Sequence, residues 1–282
     1  MILVFGKTGQ VGNELQQSND VFALGRGQAD LSDPVACTQV IKNLAPNVVI
    51  NAAAYTAVDK AEEDEELATI INGHTPTAIA ETCSILGIPM IHISTDYVFE
   101  GSGEVSWQPD DVTAPQNAYG RSKLIGEEGI RKSGANYAII RTSWVVSAHG
   151  GNFIKTMLSL SETQDTFSVV ADQIGGPTPA RDIAMACLRI AHQLQKDPTK
   201  SGVYHYSGMP NVSWADFALE IFAQSARSVT VNPISTLEYP TIVKRPLNSR
   251  MDFSKTKSIF GIDQPDWRMG LREILKELKV IV

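Results

Sequence analysis

Apolar and polar positions in the first half of the chain follow two alternating patterns. Short apolar runs occur at Ile2–Phe5, Val21–Leu24, Asn47–Ala53, Pro89–Ser94 and Tyr137–Thr142. Longer segments with helical spacing separate them, at Val11–Gln17, Pro34–Leu44, Glu65–Leu86 and Tyr119–Lys132. Short β-rich runs that alternate with helices are typical of βαβ units, whose strands are parallel. The nearly continuous apolar run NVVINAAA predicts a strand that is covered on both faces.

The second half of the chain is less regular. Helices are predicted at NFIKTMLSLSE, RDIAMACLRIAHQL, SWADFALEIFAQSA (with a serine cap) and Arg268–Lys279, and short strands at FSVVAD and GVYHYSG. The predicted fold is α/β, a Rossmann-type doubly wound parallel sheet with a smaller C-terminal substrate-binding lobe. We assign to the dinucleotide-binding core residues 1–150, with a later contribution from about 165–200. Residues 201–282 are assigned mainly to the substrate-binding lobe, together with 151–164.

Charge and composition exclude several classes of function. The 282 residues carry 24 basic and 31 acidic side chains, so the net charge of −7 argues against a nucleic-acid partner, which needs a basic surface. No apolar run approaches the ~18 residues of a membrane span, and MILVFGKTGQVG predicts a buried strand rather than a signal peptide. Three cysteines and five histidines are scattered, so no disulfide framework or metal cluster is predicted. These features favour a cytoplasmic location.

A glycine-rich segment follows the first predicted strand and opens a helix. It reads Gly6-Lys7-Thr8-Gly9-Gln10-Val11-Gly12, with the spacing G-x-x-G-x-x-G. Glycines allow a tight turn and let backbone N–H groups approach a pyrophosphate at the start of a helix. A glycine turn without a ligand is the simpler interpretation, but its place between strand and helix favours a dinucleotide site.

The ends of the second and third predicted strands suggest where the rest of a dinucleotide lies. Arg26 follows the second strand where NAD-preferring sites often have an acid, which favours NADPH with NADH as the alternative. An ordinary surface arginine is almost as well supported. Asp30 and Leu31 are candidates for the adenine side, although Asp30 could equally cap a helix. The third strand ends in small residues that leave room for a cofactor or for tight packing, namely Ala52, Ala53 and Ala54.

Three further residues suggest redox chemistry on a carbonyl group. Thr95 ends the fourth predicted strand, and Tyr119 and Lys123 lie one helical turn apart. A nearby ammonium lowers the pKa of a tyrosine, whose ordinary value is about 10, and can also hold ribose hydroxyls. A strand-end hydroxyl can bind a developing alkoxide. A tyrosine–lysine pair alone would predict only an exposed helical turn, but beside the glycine loop it favours catalysis.

These segments together resemble the extended short-chain dehydrogenase/reductase family over nearly the whole chain. They are FGKTGQVGNELQ, VINAAAYTAVDKAE, STDYVFEG, AYGRSKLIGE, IIRTSWVVS, NFIKTML and RPLNSRM. Within that family, the match to members acting on a dTDP-linked 4-keto sugar implies reduction of dTDP-6-deoxy-L-lyxo-4-hexulose to dTDP-L-rhamnose. The resemblance implies that Tyr119 is the proton donor, that Lys123 lowers its pKa and binds the nicotinamide ribose, and that Thr95 contacts the reacting oxygen.

The same resemblance implies two groups of substrate contacts. The sugar would be contacted by Thr56, Val58, Thr95, Asp96 and Trp144, and the nucleotide diphosphate by Arg245, Asn248 and Arg250. Two arginines in an acidic protein can bind a diphosphate bidentately, although a surface loop with stray charges is the alternative. Trp144 could equally belong to the core.

A metal-linked dimer is not expected. Some family members hold magnesium at a dimer contact through the acid of GNELQ and a later acidic pair. Glu14 is present, but Arg181-Asp182 stands where the pair would lie, so no metal is predicted and a homodimer is left open.

Two other functions compete with ketone reduction. A dehydratase of the same fold is disfavoured because Asp96-Tyr97, rather than an Asp-Glu pair, follows Thr95. An epimerase, which binds NAD tightly and recycles it, is weakly disfavoured by Arg26. The other is a non-catalytic NADP-binding subunit similar to the regulatory subunit of methionine adenosyltransferase. The intact Thr95, Tyr119 and Lys123 set favours an enzyme.

Overall fold

The computed structural model describes residues 1–282 and contains thirteen strands and ten α-helices. The strands are β1 Ile2–Phe5, β2 Val21–Leu24, β3 Val48–Asn51, β4 Met90–Thr95, β5 Tyr137–Thr142, β6 Val145–Val146, β7 Thr166–Val170, β8 Ile174–Gly175, β9 Thr178–Pro179, β10 Gly202–His205, β11 Val212–Ser213, β12 Thr230–Ile234 and β13 Asn248–Ser249. The α-helices are α1 Gln10–Leu15, α2 Pro34–Leu44, α3 Glu65–Thr69, α4 Thr75–Leu86, α5 Ala118–Lys132, α6 Phe153–Leu160, α7 Ala180–Lys196, α8 Trp214–Gln224, α9 Ser254–Phe260 and α10 Trp267–Glu277.

Six parallel strands form the central sheet, in the spatial order β10-β5-β4-β3-β1-β2. After β2 the chain returns to the other side of β1 and adds the remaining strands outwards. The direction of winding therefore reverses beside β1, and ligands of doubly wound sheets bind beyond the carboxyl ends of the strands at such a point. This topology confirms the predicted α/β fold.

Helices cover both faces of the sheet because alternate strand residues point to opposite sides. Ile2 and Val4 pack with α1 and α7 on one face. Leu3 and Phe5 pack with α2, α4 and α5 on the other face. Both faces of these short strands are thus buried, which explains the nearly continuous apolar runs in the sequence.

A third apolar core lies outside the central sheet. It joins α6, α8 and α10 through buried residues such as Ile154, Phe217 and Leu271, and β7 pairs with β12 beside it. Some residues lie elsewhere than the predicted division suggests. β10 belongs to the central sheet and Phe260 packs against it, whereas β7 packs in the outer core. The division into two lobes at the predicted boundaries stays a prediction.

The long helix predicted over Glu65–Leu86 is interrupted. A π-helical turn at Ile70–His74 separates α3 from α4. The turn carries Asn72, whose side chain accepts a hydrogen bond from Tyr55 N (2.8 Å) and donates to Tyr55 O (3.0 Å) and to Ser122 Oγ (3.0 Å). Single π-helical turns within helices often occur at functional sites, and the spacing of hydrophobic residues does not reveal them.

Candidate active site

The glycine loop packs directly against the end of β3. Gly6 has φ of +105°, and a Cβ there would lie 2.8 Å from the backbone of Ala52 and Ala53. A Cβ on Gly12 would lie 1.9 Å from the carbonyl oxygen of Gly6. Both positions therefore require glycine, and their packing keeps the backbone of the loop open towards the crevice.

At the end of β4, Thr95 and Asp96 form a buried hydrogen-bonded pair. Thr95 Oγ1 donates to Asp96 Oδ1 (3.0 Å) and accepts from Tyr97 N (3.2 Å). Ser249 Oγ donates to the other carboxylate oxygen of Asp96 (2.5 Å). Burial raises the pKa of Asp96 to about 6, although these hydrogen bonds lower it.

Tyr119 and Lys123 lie on α5, as the four-residue spacing predicts. Asn117 caps this helix by accepting a hydrogen bond from Gly120 N (2.8 Å). A Cβ on Gly120 would lie 2.3 Å from the carbonyl oxygen of Tyr97, so glycine lets the first turn of α5 approach the end of β4. Ser122 Oγ donates to Tyr119 O (2.8 Å), which ties this turn to Asn72.

The electrostatics of the pair differ from the sequence-based expectation. Burial raises the pKa of Tyr119 well above its ordinary value, and the interaction with the Thr95 hydroxyl only partly offsets this rise. Lys123 does not lower this pKa as predicted, because its Nζ lies against Ile93 O (2.7 Å) and His92 Nε2 (3.1 Å). Burial in turn lowers the pKa of Lys123 to about 8, against the opposing effect of Glu127.

A cavity of about 790 Å³ joins the glycine loop to these residues. Most predicted site residues line it: Gly6, Thr8, Gly9, Gln10, Val11, Arg26, Asp30, Leu31, Ala52, Ala53, Ala54, Thr56, Val58, Thr95, Asp96, Tyr119, Lys123 and Trp144. This volume falls in the range of small-molecule and cofactor sites. Cofactor-sized space therefore connects the predicted dinucleotide loop with the predicted catalytic side chains.

Four predicted site residues do not line this cavity, namely Gly12, Arg245, Asn248 and Arg250. Asn248 Nδ2 donates to Ser102 O (3.3 Å) and Val105 O (2.8 Å), while its Oδ1 accepts from Arg250. The adjacent Ser249 faces the cavity instead. Strand alternation at β13 gives the physical reason, because neighbouring side chains point to opposite faces.

Arg245 forms an ion pair with Asp59 in the loop after β3. The pair joins the C-terminal lobe to the core. Burial raises the pKa of Tyr97, a cavity residue, and the nearby Arg245 partly offsets this rise. Arg245 thus lies near the cavity, consistent with an anion contact, although it is not part of the lining.

Several cavity residues were missed by the sequence interpretation: Tyr55, Tyr97, Gln173, Trp214 and Ser249. Trp214 stacks on Trp144, with 3.5 Å between ring centroids. Trp144 has φ of +50°, a conformation that is rare for a bulky residue and occurs often at functional sites. The serine cap before Trp214 predicted its helix but gave no sign that its ring reaches the cavity.

Arg26 pairs with Asp30 in the lining of the cavity, with 2.9 Å between Nε and Oδ2. The guanidinium is 77% exposed, so it can contact a ligand from this position. The pKa of Asp30 is lowered by the backbone N–H of Ser32 and by Arg26.

Glu14 lies outside this cavity. It lies near His149 and Glu277. One potential metal-ligand atom from each of these three residues lies within 4.8 Å of the other two. The imidazole is 3.3 Å from Glu277 and 3.6 Å from Glu14. Such a cluster does not by itself define a metal site.

No helix has the length and apolar character needed to cross a membrane.

A parallel sheet with a glycine loop after its first strand and a tyrosine–lysine pair at the crevice defines a nicotinamide-dependent short-chain dehydrogenase/reductase architecture. The family model described as RmlD substrate binding domain matches residues 1–280. A dTDP-4-dehydrorhamnose reductase from Sinorhizobium fredii is 40% identical, covering 97% of this chain and 96% of the relative. The chain belongs to this family of dTDP-4-dehydrorhamnose reductases.

Solved structures of the same family share the whole fold. A dTDP-4-dehydrorhamnose reductase from Clostridium acetobutylicum is 35% identical, with a TM-score of 0.92 and 99% coverage of both chains. One from Bacillus anthracis, in complex with NADP, is 33% identical, with a TM-score of 0.90 and 98% coverage of both chains. The two similarities extend over both the central sheet and the C-terminal lobe.

Proposed function

We propose that this protein uses NADPH to reduce the C4 ketone of dTDP-4-dehydro-6-deoxy-L-mannose (dTDP-6-deoxy-L-lyxo-4-hexulose), giving dTDP-L-rhamnose. One observation carries the proposal: Thr95, Tyr119 and Lys123 line the same cavity as the glycine loop. The names of the relatives support the substrate, and the NADP complex of the Bacillus anthracis relative supports the cofactor.

NADPH, when bound, supplies the hydride for C4 of the sugar. The Tyr119 hydroxyl then gives its proton to the ketone oxygen as negative charge develops there. The phenol is protonated at neutral pH, which is the form that donates, although burial raises its pKa further from the value that best suits proton transfer. With the sugar bound, the Thr95 hydroxyl turns its one proton from Asp96 to the same oxygen and stabilises the developing alkoxide.

Lys123 acts from its buried position in the lining of the cavity. As an ammonium it holds the hydroxyls of the nicotinamide ribose. The hydrogen bond from Nζ to Ile93 O supports this role, because it fixes the amine at the carboxyl end of β4.

The two ends of the cavity suit the two ligands. We place the adenosine part of the cofactor near Arg26, Asp30 and Leu31, where the exposed guanidinium favours a 2′-phosphate. We expect the sugar to lie against Thr56, Val58 and Trp144, since all three line the cavity together with Asp96. Arg245 contacts the diphosphate. Because the side chains of Asn248 and Arg250 are hydrogen-bonded to each other, we expect them to stabilise the segment around β13.

The location of the reaction is also inferred. All three cysteines are buried free thiols, which supports a reducing compartment and hence the cytoplasm.

Turnover with a defined substrate tests the proposal. Purified protein is mixed with the dTDP-linked 4-keto sugar and NADPH or NADH, and loss of reduced-nicotinamide absorbance is followed. We expect turnover, with a higher kcat/KM for NADPH. NADP binding without turnover would favour the non-catalytic subunit, and release of water from a dTDP-hexose would favour a dehydratase.

A further inference from the structure

His92 lies on β4 three residues before Thr95, and nothing in the reaction proposed above uses it. Its side chain is fully buried, yet it does not pack as a purely apolar group. Nε2 lies 3.1 Å from the Lys123 Nζ, and Nδ1 lies 3.1 Å from Asn51 Nδ2. The imidazole therefore connects the lysine of the crevice with a buried amide at the end of β3.

The ring is neutral in this environment. Burial lowers the pKa of His92 well below its ordinary value, and the nearby Lys123 lowers it further. A neutral imidazole has one N–H donor and one acceptor nitrogen. Only one of the two ring nitrogens can therefore donate at a time. If Nε2 carries the proton and donates, Nδ1 must accept, and if Nε2 accepts, Nδ1 must donate.

Asn51 has its own constraint. Its Oδ1 accepts a hydrogen bond from Ala53 N (3.2 Å), which directs Nδ2 towards His92. In this arrangement Nδ1 accepts from the amide, and Nε2–H donates to Lys123 as a free amine. When Lys123 is an ammonium, Nε2 must accept, and Nδ1–H then needs an acceptor. A turn of the Asn51 amide presents Oδ1 for that purpose.

We propose that His92 is a positioning residue for the reduction, which keeps Lys123 hydrogen-bonded at one place in the crevice in both of its charge states. This inference rests on the proposed function for its link to catalysis. Both charge states matter near neutral pH, because burial lowers the pKa of Lys123 to about 8. Without His92, Ile93 O would be the one remaining hydrogen-bond partner of the buried amine.

Other charged groups near Lys123 do not replace this contact. Glu127, one turn further along α5, raises the pKa of Lys123. Its carboxylate is already held by Arg141 Nε (2.9 Å), Arg141 Nη2 (2.6 Å) and Ser94 Oγ (2.6 Å). Tyr119 shares the helix but forms its side-chain interaction with Thr95. His92 and Ile93 O are thus the hydrogen-bond partners of the Lys123 amine.

Two amide substitutions separate positioning from packing. The His92→Gln side chain places its amide near the position of Nε2, within reach of Lys123, and can either accept or donate. The shorter His92→Asn side chain reaches only the position of Nδ1, beside Asn51. Both are polar and smaller than histidine, so each controls for the other. Thermal unfolding of both variants verifies that they are folded.

We expect His92→Gln to keep Kd for NADPH and kcat close to wild type. We expect His92→Asn to weaken NADPH binding and to lower kcat by about 10- to 100-fold, the loss typical for one hydrogen bond to a charged group. The limb of the kcat/KM–pH profile that belongs to Lys123 should move to lower pH in His92→Asn, because the ammonium loses an acceptor.

Equal impairment of both folded variants would overturn the proposal in favour of packing. Wild-type Kd, kcat and pH profile in His92→Asn would overturn it as well. If the wild-type protein binds NADPH but does not reduce the 4-keto sugar, the proposed function fails. The contrast in Kd between the two variants would still decide whether His92 positions Lys123.

Discussion

Ser249 donates a hydrogen bond to Asp96 across the crevice, with 2.5 Å between Oγ and Oδ2. Asp96 follows β4 of the central sheet, whereas Ser249 ends β13, outside that sheet. The other carboxylate oxygen of Asp96 accepts from Thr95. One buried carboxylate thus connects the threonine proposed to contact the ketone with the C-terminal part of the chain.

This buried carboxylate should make stability depend on pH. Burial raises the pKa of Asp96 from 3.8 to about 6, so the folded protein holds this proton more tightly than the unfolded chain. Its contribution to stability is fully present below pH ~4 and is lost as pH rises through about 6. The rise in pKa corresponds to about 3 kcal/mol, at about 1.36 kcal/mol per pH unit.

Urea unfolding of wild type and Asp96→Asn at several pH values measures this effect, since asparagine does not titrate. We expect wild type to lose about 3 kcal/mol relative to the variant between pH ~4 and ~7. A difference in unfolding free energy that does not change with pH would contradict the raised pKa.

The glycine loop should not tolerate a side chain at Gly12. We expect Gly12→Ala to destabilise the protein by about 1–3 kcal/mol and to weaken NADPH binding, because the new Cβ would meet Gly6 O at 1.9 Å. Gly27→Ala is the matched control, since its Cβ would meet nothing within 4 Å. Thermal unfolding and fluorescence titration with NADPH measure both effects. Equal behaviour of the two variants would refute the close approach.

Arg245 should contribute to substrate affinity rather than to cofactor affinity. We expect Arg245→Ala to raise KM for the dTDP-sugar about 10- to 100-fold and to leave Kd for NADPH unchanged. Asp59→Asn retains the arginine but weakens its ion pair, so its KM should rise less. Steady-state kinetics at saturating NADPH provides the test. Unchanged KM in Arg245→Ala would remove this residue from the substrate site.

Lys123 should affect both cofactor binding and rate. In Lys123→Met the thioether cannot bond to Ile93 O, so we expect weaker NADPH binding and at least about 10-fold lower kcat. Lys132→Met, near the end of the same helix with a side chain 80% exposed, is the control and should behave as wild type. NADPH affinity unchanged in Lys123→Met would refute the ribose contact.

Much of the fold follows from local pattern. Pro34–Leu44 and Tyr137–Thr142 have the predicted bounds, because helical spacing and a buried β-rich run are both local signals. The π-helical turn at Ile70–His74 is not visible in this way, since its position depends on Asn72 meeting Tyr55 and Ser122 from distant segments.

Site residues were predictable from the sequence where their spacing is typical of a known kind of site. Tyr119 and Lys123 were identified by their spacing. The predicted lowering of the Tyr119 pKa was wrong, because the burial of Tyr119 and the contacts of Lys123 depend on tertiary structure. Gly120 had no derivable role in the sequence, and its close approach to Tyr97 O appears only in the fold. Ser249 could have been identified by alternation, since it lies between Asn248 and Arg250.

The most direct test of ketone reduction is isotope transfer, with Tyr119→Phe as the variant and Tyr97→Phe as the control for a neighbouring ring, 5.4 Å away. NADPH carrying deuterium at the transferable position of the nicotinamide is mixed with the dTDP-linked 4-keto sugar, and the product is analysed by NMR. We predict deuterium at C4 of dTDP-L-rhamnose with wild type and Tyr97→Phe, and transfer slower by about 10²–10⁴-fold with Tyr119→Phe. Absence of deuterium from C4 in the wild-type product, or wild-type transfer by Tyr119→Phe, would contradict the account.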